Sequence, residues 1–229
     1  MKYCYGNWKL NTSLKLTCMF SETPELKNVE LGIAPSYPFI PIFKETLPSQ
    51  VKIGAQNCSD KLKGAFTGEV SANMLQELEI DFIILGHSER RHVFLENNEI
   101  ISEKIQICEK MNIKIIYCIG ETLDQRNSQK TNEILKEQLN ILNSLKNTII
   151  AYEPVWAINT GVAAKKEDVA EAVKFIKENV KHLGNAKVLY GGSVNSKNCN
   201  EFTEICDGFL VGNASLTKEF FDIAKSLDN

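Results

Sequence analysis

Two proton-handling side chains stand just after apolar, strand-like runs of this sequence. His87 follows the run 82–85, and Glu153 follows the run 148–152. An imidazole and a carboxylate are the usual partners in general acid–base catalysis. Their positions after two buried-type strands predict acid–base chemistry at the open end of a parallel sheet.

Short apolar runs recur along the chain, and stretches with helical periodicity separate most of them. The runs lack clean alternation of polar and apolar residues, which is typical of strands buried on both faces. The clearest helical stretches are 165–182, which a typical stop signal at Gly184 closes, and 133–145. The predicted strands are 3–7, 30–34, 51–55, 82–85, 113–118, 148–152, 187–190 and 208–211.

Eight strands that alternate with helices fit a closed (β/α)8 barrel or an open doubly wound sheet. No GxGxxG motif follows the first strand, which disfavours the dinucleotide-binding form of the open sheet. The strand count favours the barrel. No linker or shift in composition divides the chain, so we expect residues 1–229 to form one domain. It would be a short barrel, because segment 12–20 leaves little room for a long helix.

The composition favours a globular protein and disfavours nucleic acid and membranes as partners. Hydrophobic residues make up 43% of the 229, which is enough for a full core. The net charge of −3 implies no basic face, so nucleic acid is not an expected partner. The first residues lack the apolar region of a signal peptide, and no run approaches about 18 apolar residues. We therefore expect an unexported protein that does not partner with a membrane.

The cysteines and histidines predict neither disulfides nor a metal site. There are seven cysteines, an odd number, and no CxxC pair. Several lie within apolar runs, where a free thiol behaves as a small hydrophobe. A reducing cytoplasm fits this usage best. The three histidines have no Cys or His partner at ligand spacing, so no zinc is expected.

Chemically useful residues cluster where the predicted strands end. In a parallel barrel these ends open on the same face, so distant positions converge on one pocket. The residues are Asn7 and Lys9 after the first strand, His87 after the fourth, Glu153 after the sixth, Ser193 after the seventh and Gly212 after the eighth.

Six segments, in the right order, resemble the triosephosphate isomerase family, and the resemblance covers nearly the whole chain. It implies a TIM barrel that interconverts glycerone phosphate and D-glyceraldehyde 3-phosphate, a step of glycolysis and gluconeogenesis. It also implies an enediolate intermediate and no metal or organic cofactor. The segments are Gly6-Asn7-Trp8-Lys9, Gly54-Ala55-Gln56-Asn57, Gly64-Ala65-Phe66-Thr67-Gly68-Glu69-Val70-Ser71, Gly86-His87-Ser88-Glu89-Arg90-Arg91, Tyr152-Glu153-Pro154-Val155-Trp156-Ala157-Ile158 and Tyr190-Gly191-Gly192-Ser193-Val194.

The resemblance implies that Glu153 removes a proton from the carbon next to the substrate carbonyl. Pro154 and Trp156 follow it and could shelter it from water, which strengthens a carboxylate as a base. Neutral His87 would donate to the substrate oxygens and help to shuttle the proton between them. A helix start just after it would disfavour the imidazolium. In isolation, a strand-end carboxylate held by an Arg or amide and a satisfied core histidine are the commoner interpretations.

The resemblance assigns Lys9 to the substrate phosphate and to the developing enediolate oxygen, where a fixed cation is stabilising. Asn7 would orient Lys9. Glu89 either pairs with Lys9 or serves only as a first-turn helix acid. Cys118, at the end of the fifth strand, is expected to support the site by packing rather than by catalysis.

Backbone amides after the last two strands should hold the phosphate. They belong to the turns at Gly191-Gly192-Ser193 and Gly212-Asn213-Ala214. Segment 154–164 resembles the family's mobile lid, which excludes water, and Asn159 within it would also bind phosphate. The family usually has Gly at positions 159 and 213. Asn tolerates positive φ best among the other residues, so the amide contacts could survive. The hinge Val162-Ala163-Ala164 also differs from the usual Lys-Thr-Ala, which affects lid kinetics rather than the reaction class.

Segment 56–71 is a long loop after the third strand, without a core pattern. Loops of more than about 12 residues are usually functional. The resemblance implies that this one inserts beside the active site of a second subunit. The expected state is a homodimer, with Thr67 near Lys9 of the partner subunit.

The residues alone leave two other functions open. The late-strand glycine turns permit another phosphate-binding barrel, such as a sugar-phosphate lyase or an epimerase. The sequence has no clustered metal ligands and no lysine at strand six, which disfavours the metal-dependent and Schiff-base versions. A catalytically inactive barrel that binds or scaffolds would be expected to have lost Glu153 or His87, and both are present.

Overall fold

Eight parallel strands close into a barrel in chain order, and the last strand pairs with the first. The computed structural model describes residues 1–158 and 164–228. It confirms the prediction of a TIM barrel and excludes the open sheet. Strand boundaries agree with the sequence prediction to within one residue. The strands are β1 Lys2–Asn7, β2 Val29–Ala34, β3 Lys52–Ala55, β4 Phe82–Leu85, β5 Lys114–Ile119, β6 Thr148–Tyr152, β7 Lys187–Tyr190 and β8 Gly208–Val211.

Helices cover the outside of the barrel, and two of the predicted helices end earlier than expected. The stretch 165–182 is helical over Lys166–Asn179, with the short 3-10 helix Lys181–Leu183 before Gly184. The stretch 133–145 is helical only over Thr131–Leu139. In the described part, the α-helices are α1 Ile40–Thr46, α2 Ala72–Glu77, α3 Ser88–His92, α4 Asn98–Lys110, α5 Leu123–Asn127, α6 Thr131–Leu139, α7 Lys166–Asn179 and α8 Glu219–Ser226. The 3-10 helices are Leu14–Glu22, Tyr37–Phe39, Val155–Ala157, Lys181–Leu183, Cys199–Glu201 and Asn213–Leu216.

The first connection is short, as predicted, and contains only the 3-10 helix Leu14–Glu22 between β1 and β2. None of the helices in the described ranges is long and apolar enough to cross a bilayer.

The barrel interior is filled by side chains and so does not form a pore. The Phe82 ring lies inside and packs on the Tyr5 ring, with centroids 4.7 Å apart. Gly54 on the adjacent strand makes room for it, since a Cβ there would lie 2.3 Å from Phe82 Cε2. A second, larger apolar cluster lies between the strands and the helices. This packing fixes the strand ends that carry the chemical groups.

Charged side chains close the amino-terminal end of the barrel. Glu30 Oε1 accepts a hydrogen bond from Lys114 Nζ at 2.6 Å and another from the Tyr5 hydroxyl. Burial favours a higher pKa for Glu30, but these two hydrogen bonds outweigh it, and the pKa lies below its ordinary value. A carboxylate with a lowered pKa stabilises the fold above its unfolded pKa, and this contribution is lost as the pH falls through the folded pKa.

Glu30→Gln is therefore expected to lower the free energy of unfolding by about 1–3 kcal/mol at neutral pH, the range for hydrogen bonds to charged groups. The difference should shrink as the pH falls through the lowered pKa of Glu30, because the carboxyl then also becomes neutral. Urea denaturation followed by circular dichroism at pH 7, 5 and 3.5 measures the difference. A difference that is the same at all three pH values would contradict this role.

Candidate functional site

A cavity of about 510 Å³ opens at the carboxyl end of the strands, and we call it the central cavity. Most of the predicted site residues line it, although they come from distant parts of the sequence. Glu89, Cys118 and Thr67 lie outside its lining. The lining includes Asn7, Lys9, His87, Glu153, Ile158, Gly191, Gly192, Ser193, Gly212 and Asn213. Among the described residues, no group of three or more His, Cys, Asp or Glu side chains could hold a metal ion.

The Glu153 carboxylate lies beside His87 in the central cavity, and Glu153 is only 2% exposed. Its Oε2 accepts a hydrogen bond from the Ser88 amide at 2.9 Å, and its Oε1 lies 3.2 Å from His87 Nε2. Its own amide donates to the Ile119 carbonyl at 2.7 Å, which extends the β5–β6 pairing by one residue. The carboxylate is thus held by donors and stays accessible from the cavity side.

Two glycines leave room for Glu153. A Cβ on Gly191 would lie 2.9 Å from Glu153 Cγ, and a Cβ on Gly120 would lie 1.7 Å from the Glu153 carbonyl oxygen. Any side chain at either position would displace the carboxylate. From the sequence, Gly191 was expected only in a phosphate turn, and Gly120 was not predicted.

His87 caps the amino terminus of α3, as the predicted helix start required. Its Nδ1 accepts a hydrogen bond from the Glu89 amide at 3.2 Å. A nitrogen that accepts carries no proton, so this geometry assigns the proton of a neutral ring to Nε2, which faces Glu153. Glu89 Oε2 also lies 3.7 Å from Nδ1 and would favour a proton there. The amide is the closer partner, and we assign the tautomer from it.

Lys9 has a left-handed backbone conformation, with φ 50°. Such a conformation costs a non-glycine residue free energy and needs external support. Its amide donates to Asn7 Oδ1 at 3.1 Å, and its carbonyl accepts from Gln56 Nε2 at 2.8 Å and from the Ser36 hydroxyl at 3.1 Å. Asn7 was expected to orient Lys9. Gln56 and Ser36 were missed because this contact joins three separate strand ends.

The Lys9 side chain pairs with Glu89, whose Oε1 lies 2.7 Å from Nζ. Glu89 also lies in the first turn of α3, so it has both of the roles between which the sequence left a choice. The Lys9 side chain is 14% exposed and the Glu89 side chain 43%. The pair therefore keeps a cation at the edge of the central cavity.

Cys118 is fully buried on β5, which continues to Ile119 rather than ending at the cysteine. Burial, followed by the nearby Glu153 carboxylate, raises the pKa of the Cys118 thiol well above its ordinary value. The side chain therefore stays a neutral thiol beside the carboxylate, which fits the expected packing role.

The late-strand turns approach the other side of the central cavity. The Ser193 hydroxyl donates to the Ala157 carbonyl at 2.6 Å, and Ser193 is part of the cavity lining. Asn213 begins the 3-10 helix Asn213–Leu216, and Gly212 supplies no side-chain cap to it. The first amides of a helix lack partners within it, so they suit an anion. Asn213 is exposed and does not have positive φ, so the tolerance of Asn for positive φ plays no part at this position.

Two of the predicted features cannot be placed in the central cavity. Asn159 and the hinge residues Val162 and Ala163 lie outside the described residues. Thr67 is exposed on the loop between β3 and α2, away from the lining of the cavity.

Comparison with known proteins gives one family. The model of the family "Triosephosphate isomerase" matches residues 2–227. A triosephosphate isomerase of Buchnera aphidicola is 43% identical over 249 residues, which cover 100% of this chain and 98% of the other. One of Thermodesulfovibrio yellowstonii is 40% identical over 232 residues, 94% of each chain. A cytosolic triosephosphate isomerase of Oryza sativa is 40% identical over 239 residues, 96% of this chain and 94% of the other.

Proposed function

Because the chain belongs to the triosephosphate isomerase family, we propose that its central cavity interconverts glycerone phosphate and D-glyceraldehyde 3-phosphate through an enediolate. The chain is then an isomerase of the aldose–ketose type, and its reaction is a step of glycolysis and gluconeogenesis. The observation that carries the proposal is the 3.2 Å approach of Glu153 Oε1 to His87 Nε2 in a cavity that Lys9 also lines.

Glu153 acts as the base. Its carboxylate takes the proton from the carbon next to the carbonyl, and the electron pair of that C–H bond forms the C=C bond of the enediolate. The carbonyl electrons move to oxygen, which becomes the site of negative charge. A proton then moves from the hydroxyl on the first carbon to the enediolate oxygen on the second, with His87 as the relay, and return of the proton from Glu153 to the second carbon gives the isomer. The reaction is neutral in electrons overall and needs no redox partner.

His87 polarises the substrate oxygens. With Nδ1 accepting from the Glu89 amide, the Nε2–H group is the donor that remains for substrate. In the free site this group faces Glu153 Oε1. A substrate carbonyl would take over the hydrogen bond and release one carboxylate oxygen for the proton transfer. The Ser88 amide would keep the other oxygen in place.

Lys9 supplies the positive charge that a phosphate dianion and an enediolate require. Asn7 holds the Lys9 backbone and lines the same cavity. The turn at Ser193 and the helix start at Gly212 and Asn213 line the same cavity and offer backbone amides to the phosphate. Asn159 is also proposed to bind the phosphate, by resemblance alone.

An assay of the purified protein tests the proposal. Each triose phosphate should be converted into the other, as coupled enzymes report, and incubation in D₂O should place deuterium on the carbon that exchanges its proton. Cleavage or epimerisation of another sugar phosphate, without this interconversion, would favour the phosphate-binding alternative. Binding of phosphate with no turnover of either triose phosphate would favour a scaffold.

We also propose a homodimer, for which two surface features give support. A second cavity of about 590 Å³ adjoins Lys9 and is lined by Leu10, Val93 and Phe94, which are largely exposed. The segment around Phe66 and Thr67 is exposed between two glycines with positive φ. An exposed apolar patch of this kind is typical of an interface. The loop of one protomer would fill the second cavity of the other.

Light scattering after gel filtration should give twice the chain mass of 25.8 kDa. Thr67→Arg is expected to produce monomers and to lower kcat/KM about tenfold or more, because an added cation would face Lys9 of the partner subunit and misplace the site. Leu123→Asp changes an exposed apolar residue elsewhere and should stay dimeric. A wild-type protein with the mass of one chain would contradict the dimer.

We propose the cytoplasm as the location and residues 1–229 as one domain. All seven cysteines are free thiols, which suits a reducing compartment. The strands from Lys2–Asn7 to Gly208–Val211 belong to one barrel, which supports a single domain.

A further inference from the structure

A buried glutamine on α6 makes two hydrogen bonds to the backbone just after β5. Gln138 Oε1 accepts from the Gly120 amide at 2.8 Å, and Gln138 Nε2 donates to the Gly120 carbonyl at 3.1 Å. One side chain thus pairs both backbone groups of one residue. The Gln138 carbonyl accepts from the Tyr117 hydroxyl at 2.7 Å, which ties the same turn of α6 to β5. With 8% of its surface exposed, Gln138 makes these bonds away from water.

Gly120 lies at the centre of a segment that supports Glu153. A Cβ on Gly120 would be 3.3 Å from Glu153 Cα as well as overlapping its carbonyl. The carbonyl before Gly120, at Ile119, accepts from the Glu153 amide at 2.7 Å. The carbonyl after it, at Glu121, accepts from the Val155 amide at 3.0 Å. We call residues 119–121 the seat of Glu153.

The seat needs an external partner because the sheet ends beside it. Regular pairing of β5 with β6 stops at Ile119 and Tyr152. Beyond that point the backbone groups of Gly120 are buried and have no strand to pair with. A buried amide or carbonyl without a partner is costly, so the segment would rotate to find one. Gln138 supplies both partners and so holds the Gly120 peptide in one orientation.

We propose that Gln138 is a positioning residue for the general base. Gln138 does not line the central cavity, and it acts by fixing the seat that supports Glu153. The inference rests on the proposed role of Glu153 as the base. A misplacement of about 1 Å at a reacting group can cost on the order of 100-fold in rate, so a loosened seat would be visible in kcat.

Gln138→Leu removes both hydrogen bonds and keeps a side chain of similar bulk. We expect kcat to fall roughly 10- to 100-fold while KM for either triose phosphate stays within about twofold, because the phosphate contacts lie elsewhere. Leu135→Ala on the same helix is the matched control. Leu135 is fully buried, so its loss lowers the melting temperature, but the Gly120 bonds remain and kcat of the folded enzyme should be unchanged.

Gln138→Glu should make kcat depend on pH in a way that a loss of packing alone would not produce. A protonated Glu reproduces both hydrogen bonds, whereas an ionised one turns an acceptor towards the Gly120 carbonyl. The ratio of variant kcat to wild-type kcat should therefore fall as the pH rises. Arg91, Glu121 and Tyr117 lie near position 138 in both proteins, and burial raises the pKa of Tyr117 to about 12. The effects of these groups on kcat therefore cancel in the ratio of the two proteins.

The outcomes separate the two proposals. A kcat loss in both Gln138 variants, restored at low pH in Gln138→Glu, supports the positioning role. The wild type could be active and Glu153→Ala inactive while Gln138→Leu keeps kcat or changes only KM. That result would overturn the positioning role and leave the proposed function standing. A pH-independent ratio for Gln138→Glu also overturns it. A wild type without isomerase activity overturns the proposed function and this inference with it.

Discussion

Glu153→Ala is expected to lower kcat for triose phosphate isomerisation roughly 10³- to 10⁴-fold, at the upper end of the range for general bases. In the proposed mechanism this carboxylate takes the carbon-bound proton. Among the described residues the cavity lining holds one other carboxylate, Glu219, and its Oε1 accepts hydrogen bonds from the Ser196 amide and hydroxyl. KM should change little, because the phosphate contacts come from other strand ends. Steady-state kinetics in both directions measure the effect.

Two further variants sharpen this prediction. Glu153→Asp keeps the charge but shortens the side chain by one methylene, so we expect an intermediate loss on the order of 100-fold. Glu133→Ala removes an exposed carboxylate on α6 and should leave turnover unchanged. Deuterium exchange from D₂O into the substrate should disappear with kcat in Glu153→Ala. Unchanged turnover in that variant would rule out Glu153 as the base.

The barrel was predictable because its strands leave a local signature. Phe82–Leu85 is apolar throughout, and Thr148–Tyr152 is apolar after its first residue. Both runs are buried, and their ends match the prediction. Helix ends were less predictable. Leu142 continues the apolar spacing of α6 but lies beyond its last residue, Leu139, and is still buried. Apolar spacing reports burial, and burial continues into the connection after the helix has ended.

The candidate site was predictable where it depends on residue type and not where it depends on long-range contacts. His87, Glu153 and Lys9 could be named because each follows a strand. The Ser88 amide that holds Glu153 was also accessible, since a predicted helix start implies free amides. The pairing of Gln138 with Gly120 was not, although a glutamine between the buried Leu135 and Leu139 marks a polar contact on an apolar helix face.

Lys9→Met is expected to lower kcat/KM for both triose phosphates by about 10²- to 10³-fold, the range found when one donor to a developing oxyanion is removed. Methionine keeps the length of the side chain and fits beside Glu89, which is exposed enough to tolerate losing its partner. We expect kcat to fall and KM to rise, because in the proposed mechanism the cation faces the phosphate in the ground state and the enediolate oxygen in the transition state. Inhibition by inorganic phosphate should weaken in parallel.

The ion pair of Lys9 with Glu89 allows a stricter test. Glu89→Gln removes the negative charge 2.7 Å from Nζ and leaves the cation free for phosphate, so inorganic phosphate should bind more tightly than to the wild type. In the Lys9→Met background the same substitution should have little effect, because the cation is already gone. Lys225→Met, which removes an exposed lysine near Asp222, controls for a general loss of positive charge.

Wild-type kcat/KM in Lys9→Met would contradict the role of the cation. An equal effect of Glu89→Gln in both backgrounds would show that Glu89 acts through the His87 helix start instead.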